Sequence, residues 1–219
     1  MSRRPYQLHE ILEKRVLTDS TFVLRFERKE LEFKAGQHIS VGPPNGIHTR
    51  EYSVYSAVND NAIEILVKEV MGGLVSPALN HLKEGDMVVV QDPVGYFSLP
   101  VNHTPTSKYL FIASGTGISP FHCFVKTIPN LNYQLVHGVK YVGEAYEKHH
   151  YDKKRLTVCT SREGKGDFYG RVTTYLQTQN IDKETHCYVC GNCDMIHDVY
   201  DILEEKGVPS AQIHAEVYF

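Results

Sequence analysis

Residues 108–127 read KYLFIASGTGISPFHCFVKT. KYLFIAS is a short apolar run of strand character, GTG is a glycine turn, and SPFHCFVKTI has the apolar spacing of a helix. Strand, turn and helix in that order open a parallel α/β fold. Glycines at such a turn let backbone N–H groups approach a pyrophosphate at the positive end of the helix. Pro120 suits the first helical turn, where its missing N–H costs nothing. The third glycine of the dinucleotide fingerprint is absent and a G-T-G turn is often only a tight turn, so the segment alone is weak evidence for a nucleotide.

Downstream the same grammar repeats. YQLVHGV (133–139) is a strand, EAYEKHHYDK (144–153) a polar helix, RLTVCTS (155–161) a strand and VTTYLQTQ (172–179) a helix. HCYVCGN (186–192) is another strand, and DMIHDVYDILEEKG (194–207) a helix that closes at Gly207. Short connections between alternating elements predict a doubly wound parallel sheet covered on both faces. Upstream the grammar differs. TFVLRFER, GQHISV, REYSVYSA, AIEILVKEV and DMVVVQD are strand-like, with GPPNG and NDN as turns between them. LVSPALNHL (74–82) breaks the series as one short helix with a single apolar stripe. That pattern predicts an antiparallel β-barrel with one capping helix. VNHTPTSK (101–108) reads as the linker, so the expected domains are 1–102, the barrel, and 103–219, the α/β domain.

A net charge of −3 gives no electrostatic case for nucleic acid or an anionic membrane as partner. Apolar runs such as Val88–Val90 are too short to cross a bilayer, and MSRRPYQLHE lacks the apolar stretch of a signal peptide. Five cysteines, an odd and low count, suit a reducing compartment, so a cytoplasmic location is expected. Twelve histidines show no H-E-x-x-H or comparable ligand spacing. His149 and His150 sit in a charged stretch and read as solvated surface, and His137 reads as structural.

CYVCGNC (187–193) raises the question of an iron–sulfur cluster. In an extended strand Cys187 and Cys190 point to opposite faces and cannot converge on one metal. A fourth ligand at suitable spacing is missing, and Cys159 lies on a different predicted strand. No metal site is expected, and Cys187 and Cys193 read as packing residues.

Two further segments suit ligand binding, each with a bland alternative. In REYSVYS (50–56) a twist or bulge could gather Arg, Tyr and Ser on one ligand, or the segment is a half-buried strand with a surface arginine. GGLVSP (72–77) leads into the short helix and offers N–H groups and a serine to an anion, or is simply a capped surface helix.

Taken in order, REYS (50–53), GGLVSPAL (72–79), DPVGYF (92–97), GTGISPF (115–121), HGVK (137–140), SRE (161–163), YVCGN (188–192) with Met195, and AEVYF (215–219) closely resemble the ferredoxin–NADP reductase family, from about Tyr6 to Phe219. The AEVYF ending and compact size look most like the bacterial ferredoxin/flavodoxin reductases. The resemblance implies FAD on the first domain and NADPH on the second. It makes Arg50 the partner of the FAD pyrophosphate, Tyr52 the ring stacked on the isoalloxazine and Ser53 the neighbour of flavin N5. Val67, Lys68 and Val70 would lend backbone groups to the flavin and ribityl chain, while Gly73, Leu74, Val75 and Ser76 cradle the pyrophosphate. Gly115, Thr116, Gly117 and Pro120 would hold the NADP pyrophosphate and ribose, and Ser161, Arg162 and Tyr169 its 2′-phosphate and adenine. Cys190, Gly191 and Asn192 would meet the nicotinamide. Glu216 with Tyr218 and Phe219 would close over the flavin, Tyr218 near its ring and Phe219 near the adenine of a bent FAD. Ser53, Cys190 and Glu216 form the implied catalytic set.

Two positions depart from the family. Asp167 stands where plastid-type members have Lys, and His197 where bacterial ones often have Arg. Both remove positive charge from the implied 2′-phosphate site, although Arg162 can make a bidentate contact and Lys165 or Arg171 can compensate. NADPH is the expected donor, with NADH as its competitor. The implied activity is hydride transfer between NADPH and flavin N5, coupled to single-electron exchange with a ferredoxin or flavodoxin, small acidic carriers, by a monomer. The alternatives are an NADH-dependent flavin or oxygenase reductase and an electron-transfer subunit of a larger complex.

Overall fold

A computed structural model describes residues 6–44, 47–101 and 103–218. Within it the chain forms two compact units, one of residues up to Ser98 with His122–Thr127, the other of Leu99–Phe121 with Ile128 onward.

In the first unit, β1 (Gln7–Thr18), β2 (Thr21–Glu27), β3 (His38–Gly42), β4 (Arg50–Ser53), β5 (Ala62–Lys68) and β6 (Met87–Val90) form an antiparallel sheet in the order β4-β3-β6-β1-β2-β5. An antiparallel bridge between Val54 and Ile65 joins the two end strands and closes the sheet into a barrel. Alternation decides which side chains fill it. Phe22, Leu24 and Phe26 of β2 and Ile63, Ile65 and Val67 of β5 point inward and share one core with Ile39, Val41, Val88 and Val90. Each such side chain contributes about 1.5–3 kcal/mol on full burial. The helix α1 (Ser76–His81) starts where Pro77 fits the first turn and adds Leu79 to that core.

The second unit is an all-parallel sheet. Its strands β7 (Tyr109–Ser114), β8 (Tyr133–Val139), β9 (Leu156–Thr160), β10 (Phe168–Tyr169), β11 (His186–Gly191) and β12 (Ile213–Val217) run in the order β10-β9-β8-β7-β11-β12. Helix α2 (Ser119–Thr127) follows β7, α3 (Val172–Thr178) precedes β11, and α4 (Cys193–Glu205) links β11 to β12. One face of the sheet, with Leu110, Ile112, Val136, Cys187 and Val189, packs with α3 and α4 through Val172, Leu176, Ile196, Val199 and Leu203. The other face is aromatic. Phe111 stacks on Phe121 at 4.8 Å, and Tyr188 on His214 at 4.4 Å. The strand alternation of CYVCGNC holds: Cys187 joins the helix-covered core while Cys190 faces the other way.

The polar helix expected over 144–153 does not form. Two 3-10 turns, Val142–Glu144 and Lys148–His150, flank Glu147, whose φ is +43°. The Glu144 carboxylate accepts the Lys140 N–H at 2.8 Å, which closes the turn, and Ala145, Tyr146 and Tyr151 are buried at a spacing no helix face provides. His149 and His150 are exposed, as expected.

Candidate functional site

The chain winds from β7 outward to β10, then returns to lay β11 and β12 on the other side of β7. The reversal between β7 and β11 is a topological switch point, where the carboxyl ends of open parallel sheets leave a crevice for ligands. Two backbone segments meet there. Gly115–Ile118 leaves β7 as a 3-10 turn and approaches the end of β11 so closely that a Cβ on Gly117 would lie 2.6 Å from the Cys190 carbonyl carbon and 2.8 Å from Gly191 Cα. Gly191 in turn has φ +138°, and a Cβ there would meet Ser114, with its carbonyl oxygen at 2.9 Å. Only glycine allows this approach. The Ser114 hydroxyl accepts the Asn192 N–H at 3.0 Å, and Asn192 Oδ1 caps α4 by accepting the N–H groups of Asp194 and Met195.

The last strand completes the cluster. Parallel pairing sets Cys190 opposite Glu216 and Gly191 opposite Val217, and the Tyr218 N–H donates to the Gly191 carbonyl at 2.8 Å. Burial pushes the Cys190 thiol well above its ordinary range, and the charge of Glu216 adds to the effect, so this sulfur is a neutral thiol near pH 7. Gly115, Thr116, Gly117, Cys190, Gly191, Asn192, Glu216 and Tyr218 are thus gathered at one end of the sheet. Pro120 sits in the first turn of α2. Phe219 lies outside the described residues.

Ser161, Arg162 and Tyr169 form a second group at the carboxyl ends of β9 and β10. The Ser161 and Arg162 N–H groups donate to the carbonyls of Val139 and Lys140, each at 3.0 Å, and Tyr169 pairs with Thr160. Arg162 and Tyr169 are exposed. Asp167 is spent internally: its carboxylate accepts the Val158 N–H at 2.8 Å. Lys165 lies 3.7 Å from Glu163, and Arg171 is exposed.

In the first unit, β3 pairs with β4 so that His38 stands opposite Ser53 and Val41 opposite Arg50. Because the Val54–Ile65 bridge is antiparallel, stepping back along β4 toward Arg50 matches stepping forward along β5 toward Lys68 and the Gly72–Gly73 turn. Arg50–Ser53 and Val67–Ser76 therefore share one end of the barrel. Arg50 is exposed, with Nη1 donating to the Thr49 carbonyl at 2.9 Å. Tyr52 is half-buried against the barrel core, and burial pushes its phenol up to about 12. Ser53 is buried. The Ser76 hydroxyl accepts the Val70 N–H at 3.0 Å and the Gly73 N–H donates to the Val70 carbonyl at 2.9 Å, which folds the Val70–Ser76 turn on itself. Val67 and Val75 point into the core, so only their backbone faces outward, whereas Val70, Met71 and Leu74 are exposed.

These features fit the two cofactors. At Gly72 and Gly115 an added Cβ would meet nothing within 4 Å, so both turns present open backbone of the kind a pyrophosphate needs. Exposed Val70, Met71 and Leu74 beside the first turn supply apolar surface for a flat ring system. Sequence alone does not mark Ser114 or His137 as candidate site residues. His137 donates from Nε2 to the Gly115 carbonyl at 2.8 Å, and its only sequence signal is the HGVK motif.

Comparison with known proteins agrees with this fold. Residues 9–99 match the family described as "Oxidoreductase FAD-binding domain" and residues 111–201 the one described as "Oxidoreductase NAD-binding domain". The chain is 30% identical over 207 residues to the flavodoxin/ferredoxin–NADP reductase of Escherichia coli, covering 83% of each chain. It is 26% identical over 221 residues to the toluate 1,2-dioxygenase electron transfer component of Pseudomonas putida, covering 93% of this chain and 65% of that one. A ferredoxin NADP+ reductase from Neisseria gonorrhoeae, solved with FAD and NADP, shares the fold with a TM-score of 0.85 at 22% identity, covering 99% of this chain and 100% of that one. A barrel that binds FAD, a parallel sheet that binds NAD(P) and these relatives lead to one assignment: the chain belongs to the ferredoxin–NADP reductase family of FAD-dependent oxidoreductases.

Proposed function

We propose that the protein is an FAD-dependent ferredoxin/flavodoxin–NADP reductase, taking electrons from NADPH and passing them to a small one-electron carrier protein. When bound, the flavin supplies the conversion between two-electron hydride chemistry and single-electron transfer. The chain's own residues bind and orient. Arg50 neutralises the FAD pyrophosphate while the Val70–Ser76 turn offers it backbone N–H groups, and Tyr52 and Ser53 border the flavin ring. Residues 1–102 hold the flavin and 103–219 the nucleotide. The Gly115–Gly117 turn receives the nucleotide pyrophosphate, with Ser161, Arg162 and Tyr169 at the adenosine end. Cys190, as a neutral thiol, and Glu216 on the adjacent strand confine the nicotinamide, with Tyr218 beside them. The observation that carries this reading is the meeting of Gly117, Cys190, Gly191 and Glu216 at the switch point of the sheet.

A second reading, a reductase serving an oxygenase with NADH, is favoured by one observation. The Asp167 carboxylate is braced against the Val158 N–H between Arg162 and Tyr169 in sequence, leaving negative charge near the implied 2′-phosphate site. One experiment separates the readings. Anaerobic absorbance spectra follow flavin bleaching by NADPH and by NADH, and the reduced protein is then mixed with ferredoxin, flavodoxin or an oxygenase component. Prompt bleaching by NADPH and reduction of ferredoxin or flavodoxin is the expected result. Bleaching by NADH alone overturns the first reading in favour of the second.

A further inference from the structure

His137 lies near the carboxyl end of β8, fully buried, with Ala113 as its partner in the β7–β8 ladder. Its Nε2–H donates to the Gly115 carbonyl at 2.8 Å. Gly115 has φ +54° and brings no side chain to hold itself in place. Thr116 is held from the other side, its carbonyl accepting the Ser119 hydroxyl at 2.8 Å. The strand end that carries His137 also grips the second group of candidate residues, because Val139 and Lys140 accept the N–H groups of Ser161 and Arg162, each at 3.0 Å. One short stretch, 137–140, therefore touches both places where a dinucleotide would be held.

We propose that His137 is a positioning residue for the nicotinamide dinucleotide, fixing the Gly115–Gly117 turn in register with Ser161 and Arg162 so that one molecule spans both subsites. A carbonyl oxygen accepts only from a donor, so the ring must keep its proton on Nε2; the other tautomer would set a lone pair against the oxygen. Burial lowers the imidazole pKa to about 4, partly offset by the bond to Gly115 and by Glu144, so the ring is neutral at physiological pH and the donor is constant. The turn can then meet the ligand without first being ordered, which is how preorganisation raises affinity. The contribution belongs to the dinucleotide, because a ligand occupying the adenosine end alone does not use the register between the two subsites.

The inference rests on the reading of Gly115–Gly117 as the nucleotide's pyrophosphate turn. Its test is calorimetric titration of the FAD-loaded protein with NADP+, NAD+ and 2′-AMP, in wild type, His137→Leu and His137→Gln. His137→Leu is expected to weaken the preferred dinucleotide about tenfold, the loss of one buried hydrogen bond, and 2′-AMP by less than about threefold. His137→Gln, whose amide can donate to the same carbonyl, is expected to recover dinucleotide binding to within about threefold of wild type. Unchanged dinucleotide affinity in His137→Leu overturns the proposal, as does an equal loss for 2′-AMP, which marks a general structural fault. Wild type that binds neither dinucleotide overturns the site reading and the inference together, so the two failures are distinguishable. Should His137→Leu not fold, nitrogen-resolved NMR of the wild-type ring decides: an Nε2–H tautomer whose signals shift on adding the dinucleotide supports the proposal, and an Nδ1–H tautomer overturns it.

Discussion

Replacing Gly117 with alanine tests the construction of the nucleotide site at its tightest point. The new Cβ would lie 2.6 Å from the Cys190 carbonyl carbon and 2.8 Å from Gly191 Cα, and it would also press on the Cys190 oxygen. All three are backbone atoms, so no side-chain rotation relieves the contact. Carbon atoms prefer separations of about 3.5–4.0 Å, so the turn and the end of β11 must part by roughly 1 Å. Overpacking of this kind costs about 1–3 kcal/mol, which for a chain of this size lowers Tm by about 2–4 °C per kcal/mol. Displacing reacting groups by about 1 Å costs on the order of 100-fold in rate. Gly117→Ala should therefore unfold several degrees lower by calorimetry and slow the flavin bleaching by reduced nucleotide about 100-fold, with flavin content unchanged. Gly115→Ala is the control: its Cβ meets nothing within 4 Å, and only its φ of +54° is penalised, by about 1–2 kcal/mol. A Gly117→Ala protein with wild-type Tm and wild-type bleaching would refute the argument, because the close approach would then carry no constraint.

Three further outcomes follow from the same geometry. Arg50→Ala should lower FAD retention after gel filtration without loss of barrel secondary structure, and an unchanged flavin-to-protein ratio would remove Arg50 from the site. Stability should fall as pH drops from about 6.5 to about 4: His137 is lowered to about 4 in the folded state, so the unfolded chain takes up a proton there first, worth about 3 kcal/mol in all by pH 4. His9 and His214 are lowered in the same direction by burial and add to the slope; urea titrations at pH 7 and 4.5 measure it, and His137→Gln should flatten it. Cys190, held protonated by burial and by Glu216, should react with iodoacetamide far more slowly than the half-buried Cys193 at pH 8, as read by peptide mass spectrometry; equal labelling would contradict the neutral-thiol role.

What the sequence disclosed was local, and what it withheld depends on distant partners. GTGISPF announced the β7–turn–α2 unit because glycine turn, proline and apolar spacing lie within a dozen residues of one another. The twelve-residue β1 was harder to see: QLHEILEKRVLT is rich in helix formers, and its strand state is decided by pairing with β2 and β6. EAYEKHHYDK looked helical by composition, yet the burial of Tyr146 and Tyr151 and the Glu144 turn bonds prevailed. The motif residues of the candidate site were legible as short strings. Their mutual placement was not: nothing in the chain says that Gly117 touches Cys190, that Ser114 holds Asn192, or that His137 reaches Gly115. Val67 and Val75 are legible as candidate site positions, but not that their side chains belong to the core.

The barrel of the first unit closes where an antiparallel bridge joins Val54 and Ile65, next to which the Tyr55 N–H donates to the Glu64 carbonyl at 2.8 Å. Among the described residues this join is shorter than the β1–β2 and β2–β5 ladders, which makes it a seam, and a seam is where local opening costs least. Its two lips are the segments Arg50–Ser53 and Val67–Ser76. On the proposed reading, a cofactor gripping both lips would bind the closed barrel and not the open one, so occupancy would act there as a rivet, strengthening this join by mass action. Loss of the cofactor would then first be felt as breathing along this line, well before the barrel as a whole gives way.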